Sequence, residues 1–102
     1  MLIISGHLEV EPSERDEFIA ERIDLIKSTR TEDGCIDYVL SADPVDPTRV
    51  LIFERWESQE HLSEHLKGVM APPPEGASTP RTQARSHEVI RHEVSSSGPL
   101  GG

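Results

Sequence analysis

Five side chains in this sequence have the types and spacing to do chemistry: Glu54, Trp56 and His65, which fall close together, and Tyr38 and His7 further upstream. His65 lies in the series Leu62, His65, Leu66, Val69, the spacing of an apolar helical stripe, so its ring should face a sheet rather than water. An imidazole has an ordinary pKa of about 6.5 and can exchange a proton near neutrality. The plainer role is a buried neutral histidine satisfied by one hydrogen bond, which the residues alone favour. Glu54 stands on an otherwise apolar strand, where an unpaired carboxylate is costly. It calls for a base such as Arg49 or Arg55, for a substrate, or for His65 to orient. Trp56 shares the face of Glu54 by the two-residue period and serves either packing or a ring-binding wall. Tyr38 can stack across strands on Trp56 or offer its hydroxyl to a ligand, and packing is the simpler use. His7 is a pocket candidate only if the first strand turns that face inward.

One pattern is set aside. His61-Leu-Ser-Glu-His65 matches a zinc peptidase motif whose two histidines share a helix face. So short a pattern arises by chance, and little chain follows it to supply a third ligand, so no metal site is assigned. Cys35, the only cysteine, reads as a small packing residue and cannot staple the chain.

The elements that position these residues follow in order. Leu2 to Val10 alternates as a strand, with Leu2, Ile4, Gly6, Leu8 and Val10 on one face and Ile3, Ser5, His7 and Glu9 on the other. After Pro12, Ser13 with Asp16 resembles a capping box, opening a helix whose stripe of Phe18, Ile19, Ile23, Leu25 and Ile26 is broken only by Arg22. Gly34 closes it. Two extended runs, around residues 36–40 and 49–57, bracket a break held by Pro44 and Pro47 and read as an antiparallel hairpin. Ser58 caps a second helix. Residues 71–85 are rich in proline and irregular, residues 86–94 recover a strand, and residues 95–102 read as a flexible tail. The domain is thus expected over residues 1–94. The order β-α-β-β-α-β is the ferredoxin-like arrangement, α+β, with a four-stranded antiparallel sheet, strands 1 and 3 in the middle and two helices on one face. The third strand is apolar on both faces: Val50, Ile52 and Trp56 on one, Leu51 and Phe53 on the other. The face without helices therefore needs a cover, most simply a second copy of the chain.

In the order and spacing of Gly34-Cys35, Tyr38, Asp43-Pro44, Glu54-x-Trp56 and His65-Leu66, the chain resembles the antibiotic biosynthesis monooxygenase family across roughly residues 1–70. The resemblance implies a homodimer with two sheets packed face to face as an α/β barrel. It also implies a cofactor-free monooxygenase acting on a small phenol or quinol, bound in a pocket between the second helix and the sheet. In that scheme His65 draws off the hydroxyl proton, the electron-rich anion reduces dioxygen, Trp56 and Tyr38 wall the ring, and Glu54 sets the tautomer of His65. After Lys67 the chain departs from its relatives. A second histidine that they carry is missing, which speaks against a two-histidine mechanism and against haem ligation from that segment. The proline-rich loop that stands there instead is either a lid or the mark of a vestigial pocket.

Other classes remain as alternatives: a non-catalytic dimeric binding or stress-response module, a haem-degrading relative, or an isomerase of small phosphorylated ketones, for which a basic phosphate cluster is lacking. With 102 residues, 19 acidic and 10 basic side chains and a formal charge of −9, one acidic domain is expected, and nucleic acid and anionic membranes are excluded as partners. The opening apolar residues are too few for a signal core or a membrane span, so a cytoplasmic location is expected.

Overall fold

The computed structural model describes residues 1–77 and 79–101. Its elements are β1 (Leu2–Glu9), a 3-10 turn (Pro12–Glu14), α1 (Arg15–Ala20), α2 (Ile23–Thr29), β2 (Cys35–Ala42), β3 (Arg49–Trp56), α3 (Gln59–Met70) and β4 (Ser86–Glu93). All strand pairs are antiparallel, in the order β2-β3-β1-β4. This is the expected ferredoxin-like α+β fold, with β1 and β3 central. The alternation of β1 holds: Leu2 and Ile4 pair with Trp56 and Glu54 and are buried beneath the helices. With Val10, Phe18, Ile26, Tyr38, Leu40, Val50 and Leu62 they make one core. Gly6 is required where it stands. Its φ is +152°, and a Cβ there would lie 2.0 Å from the carbonyl oxygen of Glu88 on β4.

The first helix differs from expectation. It is broken at Glu21–Arg22 into α1 and α2, and Ser13 makes no cap; the 3-10 turn starts it instead. Arg22 explains the break. An arginine in a buried stripe needs acceptors, and Arg22 donates to the carbonyls of Phe18 (3.0 Å) and Thr82 (2.9 Å) while its guanidinium lies 3.7 Å over the Phe18 ring. Thr82 itself is buried and bonds through its hydroxyl and amide to Glu21, and Arg81 pairs with Glu17 at 2.6 Å and Glu14 at 3.3 Å. The far end of the proline-rich loop is thereby fastened to the α1–α2 junction, whereas residues 71–77 are exposed. Ser58 caps α3 as expected, its hydroxyl accepting from the amide of His61 at 3.3 Å.

On the other sheet face no helix packs among the described residues. Val39 (37% exposed), Leu51 (39%), Phe53 (39%) and Ile90 (52%) form an open apolar band there. Residues 95–101 are exposed; Gly102, the last residue of the expected tail, lies outside the described residues. Among the described residues no helix is long and apolar enough to cross a membrane.

Candidate functional site

α3 turns His65 onto the sheet, where it is buried at 5% exposure. Its ring lies over Trp56 at 4.7 Å between centroids, tilted by 31°, and meets Tyr38 edge-on at 5.6 Å. Tyr38 and Trp56 therefore both pack on the imidazole. The carboxylate on His65 is Glu32, from the turn between α2 and β2, with Oε2 2.8 Å from Nδ1. A carboxylate only accepts, so Nδ1 carries the hydrogen and Nε2 is left with the lone pair. Among the described residues Nε2 has no hydrogen-bond partner, and no fully buried side-chain polar atom lacks one. Nε2 therefore opens onto accessible space.

Glu54 does not take the place expected for it. Its Oε1 accepts from Nε1 of Trp56 at 2.9 Å. Neither arginine pairs with it: Arg55 bonds Asp37 on the open face and Arg49 pairs with Asp46. The physical reason is register. Positions 54 and 56 share the helix-side face, and the intervening Arg55 must point away. Burial pushes the Glu54 carboxyl above its usual range, against the pull of the Trp56 hydrogen bond and of His65. Burial, with Glu54 and Glu32 nearby, pushes the Tyr38 phenol up to about 12, so it stays protonated and can donate but not act as a base. The Cys35 thiol is likewise pushed up by burial first, the state of an inert thiol.

His7 lies on the open face, opposite Leu51 and 4.0 Å from Glu88, with the sheet between it and His65. His61 shares the side of α3 that faces the α2–β2 turn, but each histidine has its own acid. His61 Nε2 is 3.5 Å from Asp33, its Nδ1 is 2.7 Å from Ser58, and its ring rests on Gly34, whose φ of +81° and missing side chain leave the room. No group of three metal-binding side chains occurs among the described residues.

The cavity is not between the second helix and the sheet as expected: beside His65, α2 and α3 part to leave one of about 290 Å³, lined by no strand residue among those described. Leu25, Ser28, Thr29 and Glu32 line one side; His65, Gly68 and Val69 line the other. Leu25 and Val69 are 40% and 53% exposed and give it an apolar rim. Sequence reasoning missed Glu32 and Gly68. No spacing signal marks Glu32: it precedes Gly34, which the structure holds beside the start of α3, with the amide of Glu57 donating to the Gly34 carbonyl at 2.9 Å. For Gly68 the signal was a glycine inside a helix, at a cost of about 0.5–1 kcal/mol relative to alanine.

Residues 1–71 match the family model for antibiotic biosynthesis monooxygenase. The chain belongs to that family. Every residue of the His65 site lies within the matched segment of this monooxygenase family. An uncharacterized protein of Synechocystis is 32% identical over 66 residues, covering 65% of this chain and 45% of that protein, so the chain spans under half the length of this relative. YcnE of Bacillus subtilis, whose name proposes a monooxygenase, is 25% identical over 100 residues, covering 93% of this chain and 99% of its own. The fold also matches a Deinococcus radiodurans crystal structure assigned to the same family, with a TM-score of 0.75, 19% identity and full coverage of both chains.

Proposed function

We propose that the protein is a monooxygenase that oxidises a small phenol or quinol with dioxygen in the cavity between α2 and α3, the substrate itself supplying the electrons. The observation that carries this reading is the pairing of Glu32 with Nδ1 of His65, which leaves the lone pair on Nε2 of a histidine that lines the cavity. The quinol hydroxyl gives its proton to Nε2, and Glu32 stabilises the imidazolium that forms. The electron-rich anion then passes electrons to dioxygen. One oxygen atom bonds to a ring carbon and the other leaves as water, so a quinol and dioxygen give a hydroxyquinone and water. Trp56, held by Glu54, and Tyr38 keep the imidazole plane fixed, and the apolar rim keeps water from the reacting ring.

A second reading is favoured by one feature. Glu32 puts a negative charge beside the cavity of a chain of formal charge −9, which opposes an anionic intermediate and suits a neutral ligand that is bound and not turned over. A panel of quinols tested for oxygen uptake decides between the two. Uptake that His65→Gln abolishes supports the monooxygenase; binding without uptake by any quinol supports the module.

The open band of Val39, Leu51, Phe53 and Ile90 is proposed as the seat of a second copy of the chain. Two such faces packed together would bury on each subunit the apolar surface that the helices leave bare.

A further inference from the structure

We infer that Gly68 is a specificity-determining residue, the position that sets how wide a ligand the cavity admits. The inference rests on the reading of this cavity as a ligand site. Three observations isolate Gly68. Its φ is not positive; among the described residues the glycines that need the left-handed region are Gly6, Gly34, Gly76 and Gly101. No neighbour forbids a side chain, since a Cβ built on it meets nothing within 4 Å. It is not the cap of α3 either, because the helix runs on through Val69 and Met70 to Ala71. Backbone conformation, close packing and helix termination are the usual reasons for a glycine, and none applies here.

What the missing side chain does leave is space. Gly68 lines the cavity one helical turn from His65, between the rim residue Val69 and the imidazole that would take the proton. The cavity measures about 290 Å³, and a closed apolar cavity of about 150 Å³ already holds one benzene ring. The room beyond a single ring is thus of the order that a side chain at position 68 would occupy. A helix former there would strengthen α3 and narrow the site, so the chain keeps width at the expense of helix stability.

The test uses the whole chain and two probes, 1,4-dihydroxybenzene and 1,4-dihydroxynaphthalene, under nitrogen. Binding is read from the fluorescence of Trp56, the only tryptophan, which lies against His65. Gly68→Ala is expected to raise Tm by roughly 2 to 6 °C. Gly68→Leu should keep that gain, bind the one-ring diol within about twofold of the native protein, and lose at least about tenfold in affinity for the two-ring diol. Equal affinity of Gly68→Leu and native protein for the two-ring diol would overturn the inference. So would a native protein that binds neither probe, or a Leu variant that loses both diols alike. If the native protein binds both diols but consumes no oxygen when it is admitted, the monooxygenase reading fails while the width limit at Gly68 stands or falls on the binding ratio alone.

Discussion

Glu32 and His65, 33 positions apart, meet at 2.8 Å, carboxylate oxygen to Nδ1, at the wall of the cavity that α2 and α3 enclose together. The contact fixes which nitrogen holds the hydrogen and which keeps the lone pair. It also fixes the ring plane, which Trp56 and Tyr38 clamp from two directions. An acid can act in this way through the base it orients.

If His65 is the base, His65→Gln should lower turnover by about two to four orders of magnitude while leaving diol binding close to native. Glu32→Gln should lower kcat by less, about tenfold or more, with KM little changed, and Glu32→Asp should recover part of it. Steady-state oxygen uptake checks both. Full activity in the His65→Gln enzyme would remove His65 from the chemistry.

How far the sequence carried can be seen residue by residue. Alternation grouped His7 with Ile3 and Ser5, away from Leu2 and Ile4, but left open whether that face turns toward a pocket; strand pairing puts it on the open face. The hairpin, the Ser58 cap and the inward turn of His65 follow from local spacing and were legible too. Glu32 was not, because its partner is fixed by how the α2–β2 turn meets α3, a tertiary fact. The break at Arg22 was hidden for the same reason. The stripe reads as one helix, and the acceptor that lets an arginine sit in it belongs to Thr82, 60 positions on. Glu54 was correctly flagged as needing a partner, but two candidate bases obscured the indole N–H two residues away on its own strand.

Glu54 should make stability depend on pH. Its folded-state carboxyl titrates above the usual carboxylate range because burial disfavours the anion. Between the unfolded and the folded pKa the native state therefore holds the extra proton, and stability falls as pH rises through that window. Glu54→Gln keeps an acceptor for Trp56 and removes the charge. Its Tm should match native near pH 4 and exceed it by roughly 2 to 5 °C at pH 7. A variant that is less stable at pH 7 than at pH 4, relative to native, would show that the carboxylate is stabilised in a way the Trp56 bond does not explain.

The loop anchor offers a comparison of a buried contact with an exposed one. Arg81 forms two ion pairs and Thr82 bonds Glu21 through its hydroxyl and amide, but the Arg81 side chain is 61% exposed and Thr82 is 1% exposed. Exposed pairs are screened and contribute little, whereas a buried acceptor that loses its donor is costly. Thr82→Val should lower Tm by about 4 to 8 °C and Arg81→Ala by under about 2 °C. Glu17 and Glu21 titrate below their usual range, through Arg81 and Thr82 respectively, so their contribution is present at neutral pH and lost as pH falls through the depressed values. The Arg81 variant should accordingly lose less stability than native on acidification. Thermal melts at pH 3 to 7 measure both effects, and an Arg81 variant worse than Thr82→Val would invert the ranking.

The open sheet face sets the last expectation. Phe53 stands at its centre, opposite Val39 on β2 and Ser5 on β1, with Ile90 beyond on β4. Four large apolar side chains from three strands lie on this uncovered face, each 37 to 52% exposed, and the helices cannot reach it. If a second copy covers it, light scattering at micromolar concentration should report twice the chain mass. Phe53→Asp should then give a folded monomer, because the position is part-exposed in the single chain but would bury an unpaired carboxylate in the pair. The expected weakening is at least about a hundredfold in the dimer constant, enough to shift the mass at the same concentration. Circular dichroism separates loss of assembly from loss of fold. A native protein that scatters as a monomer, or an Asp variant that remains a dimer, would place the subunit contact elsewhere or remove it.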